Sequence, residues 1–185
     1  MTPVAMKTRK IITMDTLDRY IILLRGINVG GKNILPMAPL KTCLEEAGFE
    51  GVSTYIQSGN IVLGSASEPA DQIKELIEAK FGISADVLAQ TQTMFMQAVA
   101  NNPYTDFDGK TVHFYFCTSE PSPDHAKLQS LTDNDERYEV LGRVLYLHAP
   151  KGIGRSKLAA KAETYLGVRA TARNLNTVNK LIQLL

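Results

Sequence analysis

The chain has no tryptophan, only two cysteines in 185 residues, and no excess of one charge, since 20 basic residues face 19 acidic ones. Cys43 and Cys117 show no CxxC or cysteine-histidine spacing, which argues against a disulfide framework or a zinc motif and predicts two reduced core residues. The balanced charge argues against a protein that coats nucleic acid or an anionic membrane. Any anion-binding site must therefore be local.

Long apolar runs are also missing, because none approaches the roughly 18 residues that a membrane-spanning helix requires. Residues 1–18 carry Lys7, Arg9 and Lys10 without the apolar segment of a signal peptide, so they are predicted to form a flexible extension. An organelle transit peptide is the alternative. We expect a cytoplasmic protein with no membrane contact, no cofactor and no metal, and the sequence leaves its oligomeric state open.

The first half of the chain shows strand and helix patterns in the order β-α-β-β-α-β. An apolar, β-branched stretch begins at Tyr20, Pro36 and Pro69 stand at helix starts, and Gly82 ends the second helical pattern. The turn residues 58–60 separate two strand patterns and predict a hairpin.

The second half repeats this order after a connecting helix over about residues 92–100. Ser122 and Ser156 are predicted to cap helices, Gly142 lies in a hairpin turn, and residues 177–185 form a closing helix. These patterns predict an α+β protein with two tandem ferredoxin-like (βαββαβ, α/β-plait) subdomains, antiparallel sheets with helices on one face, and an extra C-terminal helix. We place the subdomains at residues 19–90 and 91–185.

A glycine-rich basic loop follows the first strand pattern, over residues 25–33. Its GxxxxGK spacing is that of a phosphate-binding P-loop, but Asn33 replaces the serine or threonine that would bind Mg²⁺, and Pro36 delays the helix. A looser anion-binding loop is one interpretation. The alternative is a purely structural turn in which glycines and asparagines shape the backbone and Arg25 pairs with a carboxylate.

The predicted topology brings this loop close to the hairpin turn. Right-handed crossovers make the first two strands of a unit parallel, so both end at the same edge of the sheet. The predicted ligand-binding residues are Arg25, Asn28, Gly30, Gly31, Lys32, Asn33, Gln57, Ser58 and Asn60.

A second basic segment lies between a strand and a helix. Amide groups at a helix start, together with nearby cations, favour an anion, and Arg173 and Asn174 are further candidate members. The alternatives are an exposed basic turn and, for Asn174, a helix cap. The predicted second anion site consists of Lys151, Gly152, Gly154, Arg155, Ser156 and Lys157.

The sequence contains no complete catalytic motif. His113 and His148 fall on strands predicted to be adjacent, but the sequence fixes no carboxylate beside them and no nucleophile in an elbow motif. Both are therefore interpreted as core or surface histidines, and the catalytic residues are unknown.

The segments LLRGINVGGKN and TYIQSGNIV, with the C-terminal pattern SKL…LGV.AT.RN.NTV.KL, resemble the family called domain of unknown function 1697. The resemblance runs from about Tyr20 to the end of the chain. It implies two ferredoxin-like subdomains. It implies no activity and no catalytic residues, because the family has no established function.

The leading hypothesis is a binding module that holds a small anionic or polar ligand in the glycine-rich basic loop. One alternative is an enzyme that acts on a phosphorylated or acyl substrate, with Arg25 and Lys32 stabilising charge. The second alternative is single-stranded nucleic-acid binding on an exposed sheet face, which the charge balance disfavours but leaves open.

Overall fold

The computed structural model describes residues 17–185, so residues 1–16 of the predicted extension lie outside the described part of the chain. The first half forms a four-stranded antiparallel sheet in the order β2-β3-β1-β4. Its elements are β1 (Asp18–Arg25), α1 (Met37–Glu46), β2 (Glu50–Tyr55), β3 (Asn60–Ser65), α2 (Ala70–Phe81) and β4 (Asp86–Thr91).

The second half forms another four-stranded antiparallel sheet, in the order β6-β7-β5-β8. Its elements are α3 (Gln92–Ala100), β5 (Val112–Cys117), α4 (His125–Leu131), β6 (Arg137–Leu141), β7 (Val144–His148), a 3-10 turn (Ile153–Arg155), α5 (Lys157–Leu166), β8 (Ala170–Asn174) and α6 (Leu175–Leu184). The protein is thus a mixed α+β chain with two antiparallel sheets and six α-helices within residues 17–185.

Helix ends follow the local chemistry. Pro36 and Pro69 precede α1 and α2, and Gly82 ends α2 in the left-handed conformation with φ 65°. The prediction that Ser122 caps α4 is wrong, because the Asp124 carboxylate accepts the capping bond from the Lys127 amide at 3.0 Å. The Asn174 side chain caps α6 by accepting from the Thr177 amide at 2.9 Å, as the capping alternative predicted.

The two sheets are buried on both faces. Helices α1 and α2 cover the outer face of the first sheet, and α4 and α5 cover the outer face of the second. The inner faces of both sheets share one apolar cluster with α3 and α6, which the sequence patterns had not placed. This central layer contains Ile21, Leu23, Val62, Phe95, Phe114, Phe116, Tyr146, Val178 and Leu181.

Within the described residues, no helix has both the length and the apolar character needed to cross a bilayer. Cys43 and Cys117 are buried and unpaired.

Candidate functional site

The glycine-rich loop and the β2–β3 turn are neighbours in space. The Asn28 side-chain amide donates to the Gln57 carbonyl at 2.7 Å, and the Leu24 amide donates to the Gly59 carbonyl at 2.8 Å. These bonds join the segment after β1 to the segment after β2, which confirms that the two lie at one edge of the first sheet. Whether they bind a ligand is a separate question.

The two asparagines of the loop shape its backbone. Asn28 and Asn33 have positive φ angles of 52° and 49°, which asparagine tolerates better than most residues. The Asn28 amide group donates to the Leu35 carbonyl at 2.9 Å, its oxygen accepts from the Leu35 amide, and Asn33 donates to the Gly26 carbonyl at 2.7 Å. Both side chains are therefore occupied by nearby backbone groups, as in the structural alternative.

The tip of the loop is open to solvent. Gly30 and Gly31 have φ angles of 58° and 72°, and a Cβ atom on either would meet nothing within 4 Å. Lys32 is exposed, and it forms no ion pair with any residue that the structure describes. Its own backbone amide donates to the Val29 carbonyl at 3.1 Å, so the cationic side chain is the polar group that remains available.

Most of the polar side chains in the β2–β3 turn also form hydrogen bonds within the turn. Asn60 is fully buried, and its amide donates to the Tyr55 carbonyl at 3.0 Å and to the Ser58 hydroxyl at 2.8 Å. Of the predicted ligand-binding residues here, only Gln57 points an exposed, unengaged amide outward. Ile56 beside it combines a φ of 49° with 52% exposure, a strained placement for a β-branched residue.

Arg25 forms ion pairs with two carboxylates. It donates to Asp86 on β4 at 3.0 Å and to Glu163 on α5 at 2.7 Å, while Arg169 also pairs with Asp86 at 2.9 Å. Burial alone would raise the pKa of Asp86, but the hydrogen bonds from Arg25 and Arg169 outweigh it and hold that pKa below its usual value. Arg25 therefore joins the two halves, and its proposed role toward a ligand is not supported by its surroundings.

Arg173 lies against the end of β1 and the β2–β3 turn. Although it belongs to β8, its guanidinium donates to the Leu24 carbonyl at 2.8 Å, the Ser58 carbonyl at 2.9 Å and the Asn60 side-chain oxygen. These acceptors are all neutral, and no described carboxylate pairs with it. Burial lowers the pKa of Arg173 to about 10, which marks a cation held in a poorly solvated place.

From the sequence, Arg173 is only a candidate addition to the second basic segment, because it lies between the last strand pattern and the final helix. Contacts between residues more than a hundred positions apart carry no local sequence signal. The structure brings it to the edge formed by β1 and the β2–β3 turn.

The second basic segment is partly neutralised. Lys151 pairs with Asp135 at 3.0 Å and with Asp133 at 3.4 Å, and the hydrogen bonds that it donates to these carboxylates raise its pKa. Lys151 is thus not a free cation, contrary to the predicted site. Ser156 caps α5 by accepting from the Ala159 amide at 3.1 Å, as predicted.

What remains of the second site is a small polar cavity of about 150 Å³. Arg155 and Lys157 line it, but Asp133 and Glu136 line it too. Gly152 and Gly154 lie outside this lining. The cavity therefore carries charges of both signs, and its attraction for an anion is weaker than the basic sequence predicted.

The two histidines do not share a site. His113 and His148 lie on the adjacent strands β5 and β7, but His113 follows the outward alternation of Tyr115 whereas His148 follows the inward alternation of Tyr146. Both are buried, and the Nδ1 atom of each has no hydrogen-bond partner within residues 17–185. They are core histidines, as the sequence interpretation held.

The Cys117 thiol is also a poor candidate for a nucleophile. Burial raises its pKa to about 11, so it is protonated at neutral pH. Within the described residues, no group of three or more acidic, histidine or cysteine side chains is placed to hold a metal ion.

Fold and site thus define an α+β protein with two antiparallel sheets and an open, cationic edge where its halves meet. The chain belongs to the family described as "Protein of unknown function (DUF1697)", which it matches over residues 17–146. This match ends before α5, so the C-terminal motif of the resemblance and Arg173 lie outside it.

A solved structure supports the same architecture. The chain is similar to the conserved bacterial protein SP0830 from Streptococcus pneumoniae, with 29% sequence identity and a TM-score of 0.67. The similarity covers 91% of this chain and 98% of that one. No curated protein matches the sequence.

Proposed function

We propose that the protein is a binding module that receives the anionic group of a small ligand at the edge formed by the glycine-rich loop and the β2–β3 turn. The observation that carries this proposal is the uncompensated charge of Arg173. It is a poorly solvated cation whose acceptors are all neutral oxygens, on Leu24 at the end of β1, just before the loop, and on Ser58 and Asn60 at the β2–β3 turn.

An uncompensated cation in a poorly solvated position attracts a negative charge. At an effective dielectric constant of about 20, a unit negative charge roughly 6 Å away gains about 3 kcal/mol before its own desolvation. Lys32 adds a second cation at the exposed tip of the same loop, whereas Arg25 is already neutralised by Asp86 and Glu163. Lys32 and Arg173, rather than Arg25, are therefore the proposed ligand cations.

The shape of the edge favours binding over catalysis. The five cavities described in this structure are lined by other residues, so the ligand is expected to present a phosphate or carboxylate to the loop and to stay partly in water. Of the two acids beside Arg25, Asp86 is held ionised by two arginines and is a poor general base, and Glu163 is engaged by Arg25 and by the Ala170 amide. The strained, exposed Ile56 lies in the adjoining turn, as strained residues at functional edges do.

The nucleic-acid alternative loses the surface on which it depended. It required an exposed sheet face, but residues 21–24 of β1 and all of β3 are buried. No specific observation favours the enzyme alternative over the module.

The proposal is tested by thermal unfolding in phosphate, pyrophosphate and nucleotides, each compared with sodium chloride at equal ionic strength. An anion at 100 times its Kd stabilises the fold by about 2.7 kcal/mol. We expect at least one of these anions to raise the melting temperature of the wild type, with the rise at least halved in Lys32→Ala. Lys110→Ala, which removes another exposed lysine, should respond like the wild type.

Two results would count against the proposal. One is a wild type that no anion stabilises beyond the effect of salt. The other is a Lys32→Ala protein that responds to every anion as the wild type does. The same titration on Arg155→Ala tests the second proposed anion site.

For the fold, we infer that each sheet with its two outer helices is a ferredoxin-like unit, divided as residues 19–90 and 91–185. The inference is supported by the β-α-β-β-α-β order of each half and by the matching strand orders of the two sheets. A cytoplasmic location stays a prediction of the sequence.

A further inference from the structure

A cavity of about 210 Å³ lies where the two sheets meet, away from the proposed anion edge. It is enclosed by β4 and α3 on one side and by the β6–β7 hairpin on the other. Its walls include Gln90, Met94, Leu141, Arg143, Val144 and Tyr146. Gln90 pairs with Ile21 near the start of β1, so the cavity is about 13 Å along the strand from Arg25, at some 3.3 Å per residue.

Gln90 is the unusual member of this wall. Its side chain is only 6% exposed, yet its amide forms no hydrogen bond with any residue in the described part of the chain. The amide is not sealed from solvent, so its hydrogen-bonding groups are left to water or to another occupant of the cavity.

Arg143 supplies a second unmet donor. Its Nη2 donates to the carbonyls of Cys117, at 3.3 Å, and Thr118, but its Nε is buried and has no partner within residues 17–185. No aspartate or glutamate lines the cavity, so the guanidinium meets no counter-charge there. The cavity thus offers the Gln90 amide and one positive charge to an occupant.

The remaining wall is mostly apolar, and its other polar side chains, Gln97 and Asn101, are exposed. The Tyr146 hydroxyl is already committed, since it donates to the Ala98 carbonyl at 2.7 Å, and its ring forms part of the wall. Met94 and Leu141 stand at the mouth, 41% and 37% exposed. An occupant that satisfies all of these surfaces has an apolar body and a negatively charged acceptor group.

We propose that this cavity is a binding site for a small carboxylic acid, with its apolar body against Met94, Val144 and Tyr146 and its carboxylate toward Gln90 and Arg143. At about 30 Å³ for each water-sized group, the volume suits an acid of roughly seven to ten non-hydrogen atoms. Benzoate and hexanoate are of this size. The site is independent of the proposed anion edge.

The test is a titration of the ¹⁵N-labelled full chain with benzoate and hexanoate, followed through the Gln90 side-chain amide and the Arg143 Nε–H signals. Both signals should move and saturate. Benzamide, which lacks the charge, should bind at least tenfold more weakly than benzoate. Lys32→Ala should bind benzoate like the wild type, so this site and the anion edge can fail separately.

The informative variant is Gln90→Met, which keeps the length of the side chain and removes the amide. Because the amide has no hydrogen-bond partner among the described residues, its loss should leave the melting temperature close to that of the wild type, while benzoate affinity falls at least tenfold. Gln129→Met, at an exposed glutamine on α4, is the matched control and should change neither.

Three results would overturn the assignment. The first is that neither signal responds to either acid at millimolar concentration, as a cavity holding only water would behave. The second is unchanged benzoate affinity in Gln90→Met, and the third is equal affinity for benzamide and benzoate.

Discussion

Replacing Arg173 by methionine tests how the two halves are joined. The guanidinium donates to five oxygens, on Leu24, Ser58, Gly59, Asn60 and Ala172. At about 1 kcal/mol net for each bond, these contacts contribute roughly 5 kcal/mol. The lowered pKa of about 10 corresponds to a burial cost of roughly 3 kcal/mol. Arg173→Met, which loses both contributions, should therefore be about 2 kcal/mol less stable than the wild type.

For a chain of this length, 2 kcal/mol lowers the melting temperature by about 4–8 °C. The measurement is thermal or urea unfolding followed by circular dichroism. Arg155→Met is the matched control, because Arg155 is exposed and forms no ion pair with the residues described. If Arg173→Met melts with the wild type, the hydrogen bonds do no more than cancel the burial cost, and Arg173 makes no net contribution to joining the halves.

Two further predictions concern the β2–β3 turn and the buried histidine on β7. Gly59→Ala should lower the free energy of unfolding by about 2–5 kcal/mol, because its new Cβ would lie 2.6 Å from Leu24 Cβ at a φ of 76°. In the control Gly30→Ala the new Cβ would contact no atom within 4 Å, so this variant should lose only about 1–2 kcal/mol. Equal urea midpoints for the two variants would refute the prediction. The pKa of His148 is lowered by burial and by Arg137, so the unfolded chain takes up the proton first, and stability should fall as the pH drops below 6.5. His148→Phe should flatten the dependence of the urea midpoint on pH between 7.5 and 5.5, and an unchanged slope would contradict the assignment.

Much of the fold follows from local signals. Pro36, Pro69 and Gly82 mark helix ends where sequence rules place them, and turn residues 58–60 separate β2 from β3. The cap of α4 was misassigned because Ser122 and Asp124 are both good capping residues two positions apart, and only the geometry selects the aspartate.

Local sequence signals did not predict the central apolar layer between the two sheets. A periodic apolar pattern tells that α6 has a buried face, but not that Val178 packs in one cluster with Val62 of the first sheet. Such packing depends on how the two sheets are arranged, and one sequence does not encode that in any local window.

The site was predicted as a location better than as a set of side chains. The parallel course of β1 and β2 brought the loop and the turn together from topology alone. Asn28 and Asn60, however, satisfy their own backbone, and the partners of Arg25 lie on β4 and α5, far along the chain. Gln90 had a weak signal, because it alternates with Leu88 on a strand and so faces the interior, where a lone amide is unexpected.

The apolar cluster shared by the two sheets makes folding of the first half depend on synthesis of the second. Residues Ile21, Leu23 and Val62 leave the ribosome early, yet α6, which helps to cover their side of the sheet, is made far later. Until then the inner face of the first sheet is an exposed apolar surface, which favours chaperone binding or self-association of the nascent chain. A fragment cut near residue 90 would keep that surface permanently, which makes the whole chain, rather than either half, the unit that has to fold.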